Sequence, residues 1–572
     1  MSRKSTFHVC AALSLASFLP RQVLGATGEG HVVELPPFIV TDSGPPLEWR
    51  YGEIPGFEVL SLCSDSGTRE FIRQFTFAHQ LLQAVLPPDL QVSLSLPVTH
   101  ILCDQSMRRR LDQDVPAEIY GGAAPGQSPL TGQPGNESAT RFRVLPNIRL
   151  QDEDETTIFS LISESDLDRS QIVLTPESIL FALQRRTPPL PSWFIRGFLE
   201  LYGSMSFEAG DARSPAAIAI APLVWLSPGE TKALAGHPAV LLPMAELLAG
   251  PRPPKESPEA VERYQREWVC QAALFERWAL GDANSGRRRA LWKFADRSSR
   301  ERATEATFIE CFGLSYAQAN AQLALYLPRA TAWPARVESD EAPQDPDIRL
   351  RPSTDAEIAR IKGDWERLET AFVKRTYPAL SGEYLEQTRK TMRRAYDGGD
   401  RDPRLLATMG LCECDAGEDA AALPLLIAAA QAHVVRPRAY YELARIIYAR
   451  EGAKPAGPRG KMSAVQTGAV LAPIREAQRE AAPLVQTSVL FADIWFHTEA
   501  VPSPTDLAEL GRDTQLFPKN LDLGYRAAIL DLQAHLVTQA RELIQRGLDE
   551  APDPATKARF AKLDRLLASQ PP

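Results

Sequence analysis

At 572 residues the chain is long enough for roughly two to four domains, each able to bury its own core. Apolar residues make up 44% and charged residues 24%, the balance of a globular protein rather than a disordered or fibrous one. A net charge of -9, spread over interspersed acids and bases, excludes the basic footprint of a nucleic-acid binder and does not favour an acidic partner.

Residues 1–26 read as a signal peptide: Arg3 and Lys4, an apolar run over 7–20, and a small-residue site near Gly25 and Ala26. That run is too short to span a membrane, and no later window reaches the ~18 apolar residues a spanning helix needs. The chain is therefore expected to be exported, periplasmic or extracellular, and not membrane-spanning. All cysteines but Cys10 follow the cleavage site, too sparse for a disulfide scaffold. Residues 27–44 carry HVVELPPFIVTD, read as an extended tether or edge strand. The segment resembles one near the mature amino terminus of exported verrucomicrobial proteins.

Residues 45–120 read as a β-β-α-β unit. LEWRYGEIPGFEVLSLC gives two strands about a turn at Pro55 and Gly56, and SLPVTHILC returns as a third strand. Between them, 68–85 shows helical spacing through Phe71, Phe75, His79, Leu82 and Val85, which makes His79 a core histidine. Cys63 and Cys103 each end a strand and can bridge if those strands are neighbours. The Gly/Pro/Ser-rich stretch 121–141 is expected to be a surface loop, with strands following at 142–150 and 157–162.

Residues 174–205, LTPESILFALQRRTPPLPSWFIRGFLELYGSM, predict a helix, a proline-rich turn and a second helix. This stretch resembles the site-bearing helix pair of the gluzincin (peptidase MA-like) metallopeptidases, which carry H-E-x-x-H on the first helix and W-L-x-E-G-L-A-E-Y on the second. In that family the two histidines and the glutamate before the glycine bind zinc, and the glutamate of the first motif is the general base. Here Pro176 and Leu180 stand at the histidine positions, Glu177 at the base and Arg196 at the ligand glutamate, with Glu200 one turn beyond. The base position keeps its carboxylate, but all three ligand positions are lost. Pro176 and Leu180 cannot donate electrons to a metal, and Arg196 puts a cation where the metal would be. No metal or other cofactor is expected. The resemblance also places Arg196 near Glu177 and Glu200, so that either a salt bridge stands in for the ion or Arg196 reaches solvent.

Downstream, helices are expected at 239–248, 260–280, 287–295 and 304–327. Phe308, Phe312 and Gly313 match an F-x-x-x-F-G turn that recurs on the carboxyl side of the resembled domain, whose helical part would span 142–330. Trp193, Tyr202, Trp225 and Trp268 either form core or line a cleft. The acidic, proline-rich stretch 331–354 reads as a linker. From 355 to 572 the chain is helical and repetitive: Gly410 and Ala444 lie 34 residues apart, as do Pro518 and Pro552, which is the tetratricopeptide period. An insertion over 450–463 accounts for a slip of phase in the middle, and about four helix pairs are expected to stack into a short solenoid. The histidines offer no i, i+4 pair, and neither a G-x-S-x-G elbow nor a complete phosphate loop occurs.

These features predict an α+β chain: a mixed-sheet and helical gluzincin-like domain followed by an all-α tetratricopeptide-like solenoid. The expected role is that of an exported, non-catalytic protein that binds a protein or peptide partner or acts as a scaffold. A zinc metallopeptidase or other hydrolase with a non-standard site is the alternative, and a purely structural envelope protein a third.

Overall fold

The computed structural model describes residues 48–568 except 92–95, 105–146, 163, 165–175, 209–216, 226–240, 253–256, 282–285, 339–343, 377, 455–459 and 481–482. The expected signal peptide, the segment 27–44, the loop 121–141 and the stretch leading into the helix pair lie outside the described residues. The strands are β1 (Arg50–Ile54), β2 (Phe57–Ser61), β3 (Val98–Asp104), β4 (Asn147–Gln151), β5 (Thr156–Ile162), β6 (Met205–Glu208), β7 (Ala217–Ile220), β8 (Ala335–Glu338) and β9 (Leu350–Pro352). Helices α1 (Asp65–Val85), α2 (Pro176–Arg185), α3 (Ser192–Tyr202), α4 (Met244–Ala249), α5 (Pro258–Leu280), α6 (Gly286–Arg300), α7 (Glu305–Phe312) and α8 (Tyr316–Ala332) precede β8. After β9 come α9 (Asp355–Thr376), α10 (Ser381–Asp397), α11 (Pro403–Ala416), α12 (Asp419–Gln431), α13 (Pro437–Gly452), α14 (Ala464–Arg479), α15 (Val485–Phe496), α16 (Pro504–Leu516), α17 (Leu521–Gln533), α18 (Val537–Glu550) and α19 (Pro554–Ala568).

The chain divides into two compact units that interleave in sequence: 1–74, 97–171 and 346–416 form one, and 75–96, 172–345 and 417–572 the other. The first is built on a six-stranded sheet of order β4-β5-β3-β2-β1-β9. Its centre is parallel, β2 beside β3 and β3 beside β5, and its flanks are antiparallel. The Pro55–Gly56 turn closes β1 on β2 as expected, with Gly56 at a φ of 76° that a glycine adopts without steric cost. Every residue of β2 is buried, as befits a strand covered on both faces. One face meets the first half of α1, where Phe57 and Phe71 enclose the His100 ring at 5.0 and 5.3 Å. The other packs Tyr51, Leu60, Ile101 and Phe159 against Ile361 and Trp365 of α9.

That second face also carries charge. Glu58, fully buried, accepts hydrogen bonds from Arg360 at 2.9 and 2.7 Å, Arg404 at 2.9 and 3.2 Å, Thr99 at 2.7 Å and Tyr51 at 2.9 Å. Burial alone would raise its pKa, but Arg360 and Arg404 outweigh it and hold the carboxyl well below the usual range. Two turns further along α9, buried Arg367 binds Asp152, Asp364 and Asp415 at 2.5, 2.8 and 2.9 Å. Helices α9 and α11 are thus bonded to the sheet through buried ion clusters.

This corrects the expected boundary. The stretch 331–354 is not a bare linker, because it supplies β8 to one sheet and β9 to the other, and helices 355–416 cover the six-stranded sheet. Helical periodicity shows that a face is apolar, not what covers it. Two further expectations change. Cys63 and Cys103 form no disulfide: Ser61 lies opposite Leu102, so strand alternation turns the two thiols to opposite faces. His79 is exposed and hydrogen-bonds Gln83 at 3.1 Å, and the core histidine of this region is His100.

The second unit contains the α2–α3 pair, α4 to α8, a three-stranded sheet of order β6-β7-β8, and helices α12 to α19. Its sheet went unanticipated, since four-residue strands leave little period to read. The expected helix over 304–327 is two helices, broken where Gly313 takes the left-handed conformation at a φ of 69° and Ser315 opens a capping box. In the repeats, first helices α13, α15, α17 and α19 pack each on the next. Their small residues Ala444, Ala492 and Ala528 are buried at these contacts. The insertion sits between the two helices of one pair, ahead of α14, and lengthens that pair's turn.

Candidate functional site

The predicted helix pair forms, and α2 packs against α3. Its turn is pinned by buried Arg186, which donates to the Pro188 carbonyl at 2.8 Å and pairs with Asp296 of α6 at 2.8 Å. Helix α3 is strongly sided. Trp193, Phe194, Gly197, Phe198, Leu201 and Tyr202 are buried, while Arg196 and Glu200, one turn apart, form its solvent strip. Neither Arg196 nor Glu200 makes an ion pair with a described residue, so Arg196 reaches solvent. Pro176 and Glu177 open α2, and their side chains lie outside the described residues. Leu180 is half-buried against the core. An apolar Leu180 and a solvent-facing Arg196 do not fit a zinc ligand set. Among the described residues no three His, Cys, Asp or Glu side chains gather as a metal ligand group would. Trp193, Tyr202 and Trp268 are buried core and Trp225 is half-buried against it.

Beneath Gly197 lies a carboxyl group the motif comparison does not contain. Glu276 of α5 is fully buried, and neither oxygen has a hydrogen-bond partner. A Cβ on Gly197 would sit 2.6 Å from Glu276 Oε1 and 2.7 Å from the Ala272 carbonyl carbon, so this glycine is what allows α3 and α5 to close. Burial raises the Glu276 carboxyl well above the usual range.

A second set of polar side chains lies along the first helices of the repeats. Arg445 of α13 pairs with Asp419 and Glu442 at 2.6 and 2.5 Å. The Tyr448 phenol lies 2.9 Å from both Asp493 Oδ2 and His497 Nδ1. Asp493 also pairs with Arg526, which lies 3.5 Å from Asp522. Arg559 of α19 pairs with Asp522 at 3.1 Å and covers the Tyr525 ring at 4.3 Å. Burial and the neighbouring Asp493 push the Tyr448 phenol up, so it remains a donor. The end of the insertion borders this row: Met462 exchanges backbone hydrogen bonds with His497 and Glu499 at 2.9 and 3.0 Å.

No family model matches the chain, and no curated protein matches it. Among solved structures it is similar to YrrB, a TPR protein with an unusual peptide-binding site, at 15% identity and a TM-score of 0.26 over 32% of this chain and 88% of that one. It is also similar to the assembly chaperone of RpL4, Acl4, at 14% identity and a TM-score of 0.22 over 36% of this chain and 84% of that one.

The row of charges is not what holds the repeats together. Surface pairs as exposed as Asp522 and Arg559, each 49% accessible, contribute roughly 0.2–1 kcal/mol. The buried Phe491, Ile494, Leu523 and Ile544 hold the stack instead. Sequence reasoning missed this surface, although a signal was present: Asp493, Arg526 and Arg559 recur 33 residues apart. A period carried by charged residues on apolar helices marks a shared outer face.

Proposed function

We propose that this chain is an exported, non-catalytic binding or scaffolding protein whose helical repeats hold a polypeptide partner along their first-helix face. The observation that supports it is the row of linked donors and acceptors from Tyr448 through Asp493, Arg526 and Asp522 to Arg559, on adjoining first helices. Such a row offers donors and acceptors to the polar groups of a segment lying across the helices. The α2–α3 pair adds packing rather than chemistry: its solvent strip bears Arg196 and Glu200, and its buried side is aromatic core.

The reading is tested by placing a photo-crosslinking side chain at His497 or Asp522 on first helices, and at Arg479 or Gln545 on second helices, in the full chain expressed in its host. Adducts of one defined mass from the first pair and none from the second are expected. Equal labelling from both pairs, or none from either, contradicts the reading.

A further inference from the structure

Helix α10 is fastened more lightly than the helices before and after it. Helix α9 is bound to the sheet by Arg360, Arg367, Ile361 and Trp365, and α11 by Arg404. Helix α10 packs instead on α9, on α11 and on the short turn Pro378–Leu380 that precedes it. Of its 17 residues, Thr388, Met392 and Ala395 are buried. Met392 fills a gap that Gly363 leaves on α9, where a Cβ would sit 2.3 Å from Met392 Cγ. The Thr388 hydroxyl lies 3.4 Å from that of Thr370, and Arg389 pairs with Glu386 and with Glu413 of α11. Beyond α10 the chain turns to α11 through Gly399, at a φ of 96° that suits glycine.

Two carboxyl groups lie at this contact. Glu366 and Glu369, three residues apart on α9, are 3% and 0% accessible, and Thr391 of α10 hydrogen-bonds Glu366. Glu366 Oε2 and both Glu369 oxygens have no hydrogen-bond partner among the described residues. The charged or titratable groups that the packed elements bring here are Lys362 of α9, Tyr384 and Arg389 of α10, and Cys412 and Glu413 of α11. Burial raises Glu366 to about 7 in spite of Thr391 and Lys362, and burial together with Glu366 raises Glu369 well above the carboxylate range. Arg389 is taken up by its two glutamates, and burial pushes the Cys412 thiol up to about 12. Toward the sheet, Arg360 is bound to Glu58, and Arg367 to Asp152, Asp364 and Asp415.

We propose that α10 is a pH-released cover: ionisation of Glu366 and its neighbour Glu369 detaches it from α9 while α9, α11 and the sheet stay folded. Two carboxylates one turn apart require water, and the neighbour that can admit it at least cost is the helix with three buried side chains. The sign follows from the raised folded values: closure is most favourable below about pH 4.5, and each opening releases one or two protons as pH rises towards 7. The opened helix is a cationic arm, since Lys390, Arg393 and Arg394 already face solvent, and it swings on Gly399.

Hydrogen exchange of the full chain from about pH 5 to pH 8, corrected for the intrinsic rate at each pH, tests this. Amides over 383–397 should be at least about tenfold less protected than those of β2 and β3 throughout, and should lose about tenfold protection or more per pH unit up to pH 7. The E366Q/E369Q variant should remove that slope, and E366Q alone should reduce it. Because the test reads a slope within one chain, a uniform loss of stability in a variant does not mimic the result. Protection over 383–397 that does not respond to pH overturns the proposal. So does a slope that survives in E366Q/E369Q, or exchange of 383–397 in step with β2 and β3, which would mean that α10 leaves only when the whole unit unfolds.

Discussion

Two carboxyl groups on α9 are buried deeply enough for burial to outweigh every favourable neighbour, which gives stability a pH dependence. On α9, Glu366 is pushed up to about 7 by burial, and Glu369, fully buried with both oxygens unpartnered, is raised well above the carboxylate range. Folded values above unfolded ones mean that these groups stabilise the protein fully below about pH 4.5 and that this contribution is lost as pH rises through 7. Glu58 acts in the opposite sense: held low by Arg360 and Arg404, it stabilises above the unfolded value and the gain is lost on acidification. Urea midpoints of the wild type should therefore fall between about pH 5 and pH 8, and the E366Q/E369Q variant should show a flatter profile over that window. An identical slope in both proteins would exclude these two residues as its source. At the α3–α5 contact, Gly197→Ala forces a methyl against Glu276 and the Ala272 backbone, and should cost about 1–3 kcal/mol in a denaturant titration.

At the scale of the elements, the attachment of α9 and α11 to the sheet rests on charges that are costly to leave alone. Arg360→Ala leaves fully buried Glu58 with Arg404 as its remaining arginine and should destabilise the protein by about 1.5–3 kcal/mol, whereas E58Q/R360M, which removes the carboxylate together with Arg360, should cost clearly less. Equal losses in the single and double variants would mean that packing, not ion pairing, makes the joint. This cluster was illegible in the sequence because Glu58 and Arg360 are 302 residues apart, with nothing local to mark either as buried. By contrast the β1–β2 turn, α1, β3, β5, the α2–α3 pair and the Phe308–Gly313 turn could all be read, since each is fixed by local turn chemistry or by an apolar period of helix or strand length. The strands β6, β7 and β9 could not be read, being three or four residues long, and the interleaving of the two units could not be read either, because it depends on which apolar faces meet.

For the whole molecule, the expected α+β composition with helical repeats is present, and the surface that best explains a repeat array is the polar row on its first helices. The helix pair α2–α3 bears Arg196 and Glu200 on the solvent strip of α3, and the buried side of α3 is aromatic and packs over Glu276. The proposed role is to hold a partner, without chemistry at a metal. The metal content of the purified full chain, grown with zinc supplied and dialysed without chelator, tests this most directly. Essentially no zinc should remain bound, whereas about one zinc per chain, lost on Glu177→Ala or Glu200→Ala, would contradict the reading and restore a metallopeptidase.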